Sequence, residues 1–419
     1  MSLLHRRIME LEAENAKLRS LLSLCKCNPD NEKLNVVISP PSSESDRPRI
    51  SYTESSNDST KALCNHVKRH VALKIMYFGK RFHGFASDGQ TEPTVESELF
   101  KALKKTKLLI GDKKEAQYSR CGRTDKGVSS VGQVISLLLR SKIKQSDENN
   151  CKLKNIPFEE NIGEEIDYPN MLNRVLPDDI RVLGWSPVSS DFSARFSCLS
   201  REYRYFCWKE NLNIKAMENG GEKFLGEHDF RNFCKMDAAN VHNYRRNITF
   251  FKISPFWKRL EDAQELFVIT FKGSAFLWHQ IRCMVAVLFM IGQGLESPNI
   301  IDILLDTERT PRKPQYKMAS EIPLVLYNCE FQGMKFFCSP DAQRSLQSHL
   351  KSQCLAYQME AAIYSEALNS SISFIRDEKD HSNKKGPSHL MLLSRPTEPS
   401  YNERRESIER TKLRKSSEE

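Results

Sequence analysis

Between His70 and Pro340 the chain alternates short runs of period-two hydrophobicity with helical apolar stripes. Several of the links between successive strands are short, a pattern that suits an α+β fold and argues against a doubly wound parallel sheet. Val71, Leu73, Ile75 and Tyr77 form a strand that stops at Gly79. Pro93-Thr94 opens a helix with the stripe Val95, Leu99 and Leu103. Further strands are expected at Val131–Leu139, Ile180–Pro187, Glu202–Trp208 and Leu266–Phe271, and a buried helix at Ala275–Gly292. The longest purely apolar run, Cys283–Ile291, holds nine residues. A membrane-spanning helix needs ~20, so no span is expected.

The flanks read differently. Leu4, Ile8, Leu11, Asn15, Leu18 and Leu22 alternate at spacings of four and three. They form a heptad seam that either pairs with a second helix or docks on the chain's own core. Residues 1–27 are therefore expected to be helical, and 28–64, with Pro29, Pro40, Pro41 and Pro48, a disordered linker. The patterned region divides into a lobe at 65–195, carrying an acidic insertion at 145–167, and a second lobe at 196–340. Past Pro340 the periodicity weakens. A helix is expected near Leu346–Leu368, followed by a charged, partly disordered tail with an apolar knot at Leu390–Leu393.

Charge adds a constraint on partners. The net charge of +9 is concentrated between residues 65 and 340, with 22 basic and 17 acidic side chains to residue 200 and 19 and 16 beyond it. A basic core suits a polyanion, because neutralising phosphates supplies much of nucleic-acid affinity. The twelve cysteines include no C-x-x-C pair, so a structural zinc site is not expected. The N-terminus lacks a secretory signal, so the thiols are read as free in a reducing compartment, nucleus or cytoplasm.

One segment concentrates candidate chemistry. Ser119-Arg120-Cys121-Gly122-Arg123-Thr124-Asp125-Lys126-Gly127-Val128 sets a single acid among Arg120, Arg123 and Lys126. Nearby cations favour the carboxylate, so Asp125 is expected to be ionised at neutral pH and able to act as a nucleophile or base. Ser200-Arg201-Glu202-Tyr203-Arg204-Tyr205-Phe206 interleaves basic and aromatic side chains at strand spacing, a pattern that can stack an unpaired base. Arg282 heads the apolar run of the last expected helix, and a buried arginine requires an acid. Asp125 is the obvious candidate, although another acid could serve.

Gly122-Arg123-Thr124-Asp125-Lys126-Gly127-Val128 resembles the signature of the TruA family of tRNA pseudouridine synthases. The resemblance runs in order through Tyr77-Phe78-Gly79, Phe82-His83-Gly84-Phe85, Thr94-Val95-Glu96, Leu176–Ile180, Phe192–Ser197, Arg201–Tyr205, Gly226–Phe230 and Ala275–Arg282. Lys126 after the aspartate, the leading helix and the tail Ser394–Tyr401 resemble the eukaryotic subgroup that acts at positions 38 and 39 of the anticodon arm. The resemblance implies two RRM/ferredoxin-like lobes forming a continuous, mixed, mainly antiparallel sheet flanked by helices. It implies Asp125 as the catalytic carboxylate, through attack on C1′, attack on the base or removal of a sugar proton. It further implies Tyr203 stacking on the target base, Arg282 paired with Asp125, and Arg123 filling the space of the flipped nucleotide. Lys126 joins the substrate-binding set, and Leu324 or Leu326 floors the pocket. Neither cofactor nor metal is implied, and the expected partners are a tRNA anticodon arm and a second copy of the chain. The alternatives are a sister synthase acting elsewhere on tRNA or on small nuclear RNA, a non-catalytic RNA-binding protein, and a base-excising glycosylase. The acidic insertion is expected to project away from RNA.

Overall fold

The computed structural model describes residues 67–87, 93–109, 111–143, 164–258, 265–372 and 389–418. The heptad helix, the linker and most of the acidic insertion lie outside the described residues.

Nine strands form one sheet: β1 Lys68–Tyr77, β2 Ser119–Arg120, β3 Ser129–Arg140, β4 Ile180–Pro187, β5 Cys198–Trp208, β6 Gly226–Asp229, β7 Arg245–Lys258, β8 Glu265–Gly273 and β9 Leu324–Phe331. Their spatial order is β4-β1-β3-β9-β5-β8-β7-β6, with β2 added beside β3. The pairings are antiparallel except that of β3 with β9, which is parallel through Ser129–Val325 and Ser130–Leu326. The fold is thus mixed α+β with a large, mostly antiparallel sheet.

The principal helices are α1 Val95–Lys105, α2 Tyr168–Asn173, α3 Ile214–Gly221, α4 Gln280–Gly292, α5 Ile300–Leu305, α6 Pro340–Ile372 and α7 Tyr401–Glu418. Thr94 and Ser97 close a reciprocal capping box at the start of α1, with Glu96 and Glu98 in its first turn and Lys104 and Lys105 in its last. Those charges oppose the helix dipole at each end. The stripe Val95, Leu99 and Leu103 is fully buried against Leu73, Tyr77 and Leu137.

Apolar side chains gather in three clusters. One joins β1, β3 and β4 to α1 and α2. Another packs Tyr205, Ile269 and Phe271 against Ile281, Val285 and Leu288 of α4. A smaller one, Ala72, Cys121, Val134, Ala194, Cys198, Leu326 and Cys329, lies where β3, β9 and β5 meet.

Two expectations need correction. The last buried helix starts at Gln280, not Ala275, because the chain first turns through His279 in a left-handed conformation (φ 62°). The tail is also docked. Leu392 is completely buried, and its backbone N–H donates to Glu296 at 2.6 Å. Backbone bonds from Gln315 to Pro396 and from Glu398 to Lys313 hold the segment that precedes α7. A short apolar knot found its partner in α4 and its neighbours, which local composition could not show.

Candidate active site

The loop of residues 121–128 joins β2 to β3 and is gripped from three sides. Gln133 clasps Gly122 with both amide groups, donating to its carbonyl at 2.9 Å and accepting from its N–H at 3.2 Å. The Tyr77 hydroxyl meets Thr124 Oγ1 at 2.8 Å, and Phe85 N–H donates to the Thr124 carbonyl. Val128 N–H closes a turn on the Asp125 carbonyl at 3.2 Å. Two glycines are sterically required. A Cβ on Gly79 would lie 2.1 Å from the Val128 carbonyl oxygen, and Gly127 has φ +81° with Glu321 pressed against it. The Tyr77–Gly79 and Phe82–Phe85 motifs are therefore the bed on which the Asp125 loop rests.

Asp125 is held partly exposed, with 22% of its side chain accessible. Burial pushes its carboxyl up to about 6, against the opposing effects of Arg282, a hydrogen bond from Trp278 and the Lys235 charge. Glu321 adds to the upward shift. Local cations were expected to set this acid, but desolvation outweighs them. Asp125 remains mainly ionised at pH 7.

The neighbouring cations have other duties. Arg120 donates to Glu96 at 2.7 Å, below the loop rather than beside Asp125. Arg123 and Lys126 are exposed at the loop's outer edge. Arg282 does not form the direct ion pair expected of it. Its guanidinium bonds to Glu321 Oε2 at 2.8 Å and to the Ala319 carbonyl at 2.9 Å. Ala319 N–H returns a bond to the Arg282 carbonyl. Arg282 thus acts on Asp125 through space, while Glu321 takes up much of its charge.

His279 is a site residue that sequence reasoning passed over. Its Nε2 stands 3.5 Å from Asp125 Oδ2, and it caps α4. Burial first, then Arg282 and Lys235, push its imidazole down to about 4, so it faces Asp125 as a neutral ring. It lies within the quoted Ala275–Arg282 motif, but only the left-handed turn before α4 aims it at the loop. Aromatic surfaces complete the site. Tyr203 packs edge-on against Phe276 at 5.1 Å, and burial raises its hydroxyl well above the usual range. Lys235 sits over the half-exposed Trp278 ring at 4.2 Å.

Of the two leucines, Leu326 lies directly under the loop, 3.9 Å from where a Cβ of Gly122 would stand. Leu324 is buried in the cluster with Tyr205 and Val128. As possible metal ligands, the sulfurs of Cys121, Cys198 and Cys329 come within 4.8 Å of one another.

A family model described as tRNA pseudouridine synthase matches residues 222–332. The tRNA pseudouridine(38/39) synthase of Saccharomyces cerevisiae is 38% identical over 343 residues, 78% of this chain and 70% of that protein. The chain belongs to the tRNA pseudouridine synthase family. Within that family it is 51% identical over 293 residues to the Bos taurus tRNA pseudouridine(38/39) synthase, and 33% identical over 300 residues to the Methanosphaera stadtmanae tRNA pseudouridine synthase A. These matches cover 68% and 70% of this chain, and 60% and 95% of the two relatives. The chain thus spans about three fifths of the length of the bovine synthase.

Proposed function

We propose that this chain isomerises uridine to pseudouridine in the anticodon stem-loop of tRNA, at positions 38 and 39. The observation that carries the reading is a partly exposed carboxylate, Asp125, set among aromatic surfaces with His279 Nε2 3.5 Å away. The nearby acid, Glu321, is tied to Arg282. The N1–C1′ bond breaks, the detached base turns, and C5 bonds to C1′. The C5 proton is lost and N1 gains one, so nothing is consumed and no second carboxylate is needed to activate water, as hydrolysis would require. Asp125 supplies the carboxylate, and neutral His279 beside it accommodates that charge without forming a competing ion pair.

Tyr203 stacks on the flipped base, with Phe276 bracing its ring. Arg123, exposed at the loop's edge, fills the vacated space in the RNA, and Lys126 meets a phosphate. Leu326 rather than Leu324 floors the pocket, since it lies beneath Gly122. The two halves of the sheet act as RRM-like lobes joined at the parallel β3–β9 pair. The chain works as a homodimer. The exposed apolar side chains Tyr357, Ile363, Tyr364 and Leu368 of α6 support a protein partner for that helix.

Asp125→Asn tests the chemistry. Turnover on tRNA should fall below detection while tRNA binding stays within about threefold, because few phosphate contacts are lost. Carbodiimide mapping of tRNA treated with the wild-type chain should mark positions 38 and 39, with no change in RNA mass. Full activity in Asp125→Asn, or release of free base, would overturn the reading.

A further inference from the structure

The cluster at the meeting point of β3, β9 and β5 contains more than packing. Cys121 directly follows β2 and begins the Asp125 loop, Cys198 opens β5, and Cys329 lies in β9. They are 208 residues apart at the extremes of sequence, yet their sulfurs all fall within 4.8 Å of one another, and each residue is less than a tenth exposed. Free cysteine is a common core residue, so burial alone says little. The convergence of three sulfurs on one point says more.

Arg201 supplies a second observation. Its guanidinium donates to four backbone carbonyls, those of Cys121, Arg195, Cys198 and Ser274. Among the described residues no carboxylate pairs with it. A half-buried cation without an acid normally costs stability. Two of its acceptors are the carbonyls of Cys121 and Cys198, so a fixed positive charge is held against the sulfur cluster, where it would offset the negative charge of a thiolate-bound ion.

The spacing fits such an ion. Metal–sulfur bonds of about 2.3 Å place three sulfurs in a trigonal plane about 4.0 Å apart. The cluster therefore needs to contract by less than ~1 Å. No histidine, aspartate or glutamate joins the group among the described residues. Structural zinc prefers four protein ligands, whereas soft thiolate sets also select monovalent copper.

We propose that Cys121, Cys198 and Cys329 form a three-sulfur site for a thiophilic metal ion, monovalent copper in preference to zinc. The bound ion would tie the start of the Asp125 loop to β5, which carries Tyr203, and to β9, which carries Leu326. It is a clamp beneath the loop and takes no part in the isomerisation. The sequence concealed it because the three ligands come from three distant elements and share no paired spacing.

The test uses the full chain, reduced and anaerobic, with Cys25→Ser and Cys27→Ser in the background to remove the closest cysteine pair in the sequence. Cuprous ion is titrated against a coloured cuprous chelator. One ion per chain should be drawn from the chelator, with X-ray absorption showing three sulfur neighbours at about 2.3 Å. Cys198→Ser and Cys329→Ser should each weaken binding at least tenfold, while Cys354→Ser, on exposed α6, should leave it unchanged. Copper should also raise the Tm of the parent chain but not that of Cys198→Ser, which separates site loss from misfolding. Absence of a stoichiometric ion in the parent, or equal binding in the Cys198→Ser and Cys329→Ser variants, overturns the site. Tighter retention of zinc than of copper overturns the choice of ion.

Discussion

At the residue scale the site turns on one balance. Burial lifts the Asp125 carboxyl from an ordinary aspartate value to about 6. The proposed chemistry uses its ionised form, so single-turnover rate should rise with pH through that region and level off above about 7. Arg282→Ala removes a cation and should move the limb to higher pH, while Glu321→Gln removes an anion and should move it lower. Coincident profiles for all three proteins would exclude this electrostatic account. The same shift carries a stability cost. A raised carboxyl favours the folded state below the unfolded value and loses that advantage as pH rises through the folded one, so Asp125→Asn should stabilise the protein at pH 8 by up to about 3 kcal/mol, with the gain gone below pH 4. Denaturant midpoints at the two pH values measure it. Glu96 shows the opposite sign. Burial alone would raise it, but hydrogen bonds from Ser87 and the Lys113 and Arg120 cations prevail and hold it at about 2. Its contribution is present above its unfolded value and is lost as pH falls from about 4.5 toward 2. Glu96→Gln should cost about 3 kcal/mol at pH 7 and much less at pH 3, read by chemical denaturation. Sequence inspection set Arg120 beside Asp125, because adjacency in the chain does not reveal that Glu96 lies beneath the loop and takes the arginine.

At the scale of elements, the parallel contact of β3 with β9 brings the Asp125 loop over Leu326. It depends on a close backbone approach, since a Cβ on Gly132 would stand 2.2 Å from the Tyr327 carbonyl oxygen. Gly132→Ala should therefore destabilise by about 2 kcal/mol or more and lower activity, with a fall in Tm as the readout. An unchanged Tm would mean that the strands part at no cost. β1, β4 and the caps of α1 were legible because alternation, Thr94 and the charged ends are local signals. β9 was passed over: Leu324 to Tyr327 alternate in burial, but Asn328 and Glu330 break the apolar pattern of a short run. The start of α4 was misplaced because the left-handed turn at His279 answers to the loop it faces, and nothing in the adjacent sequence requires it.

For the whole molecule, the tail illustrates how composition can mislead. Residues 389–418 read as polar and charged, yet Leu392 is fully buried and Tyr401 packs on Tyr244 at 5.8 Å. Truncation after Ile372 would expose the seat of Leu392 and leave Glu296 without its partners His389 and Leu392. That should cost about 3 kcal/mol or more and shift the denaturation midpoint, whereas a dispensable tail would leave the midpoint unchanged. The basic excess at residues 65–340 was visible from counting, since charge is additive along a chain. The α+β class, the Asp125 motif and the aromatic strand were likewise determined by the sequence, through periodicities and spacings that act over a few residues. Only the tertiary structure decided that Arg282 is shared with Glu321, that His279 faces Asp125, that Leu326 lies under Gly122, and that three cysteines meet at one point. Each of these depends on side chains from different strands, and local sequence places no constraint on distances across a sheet.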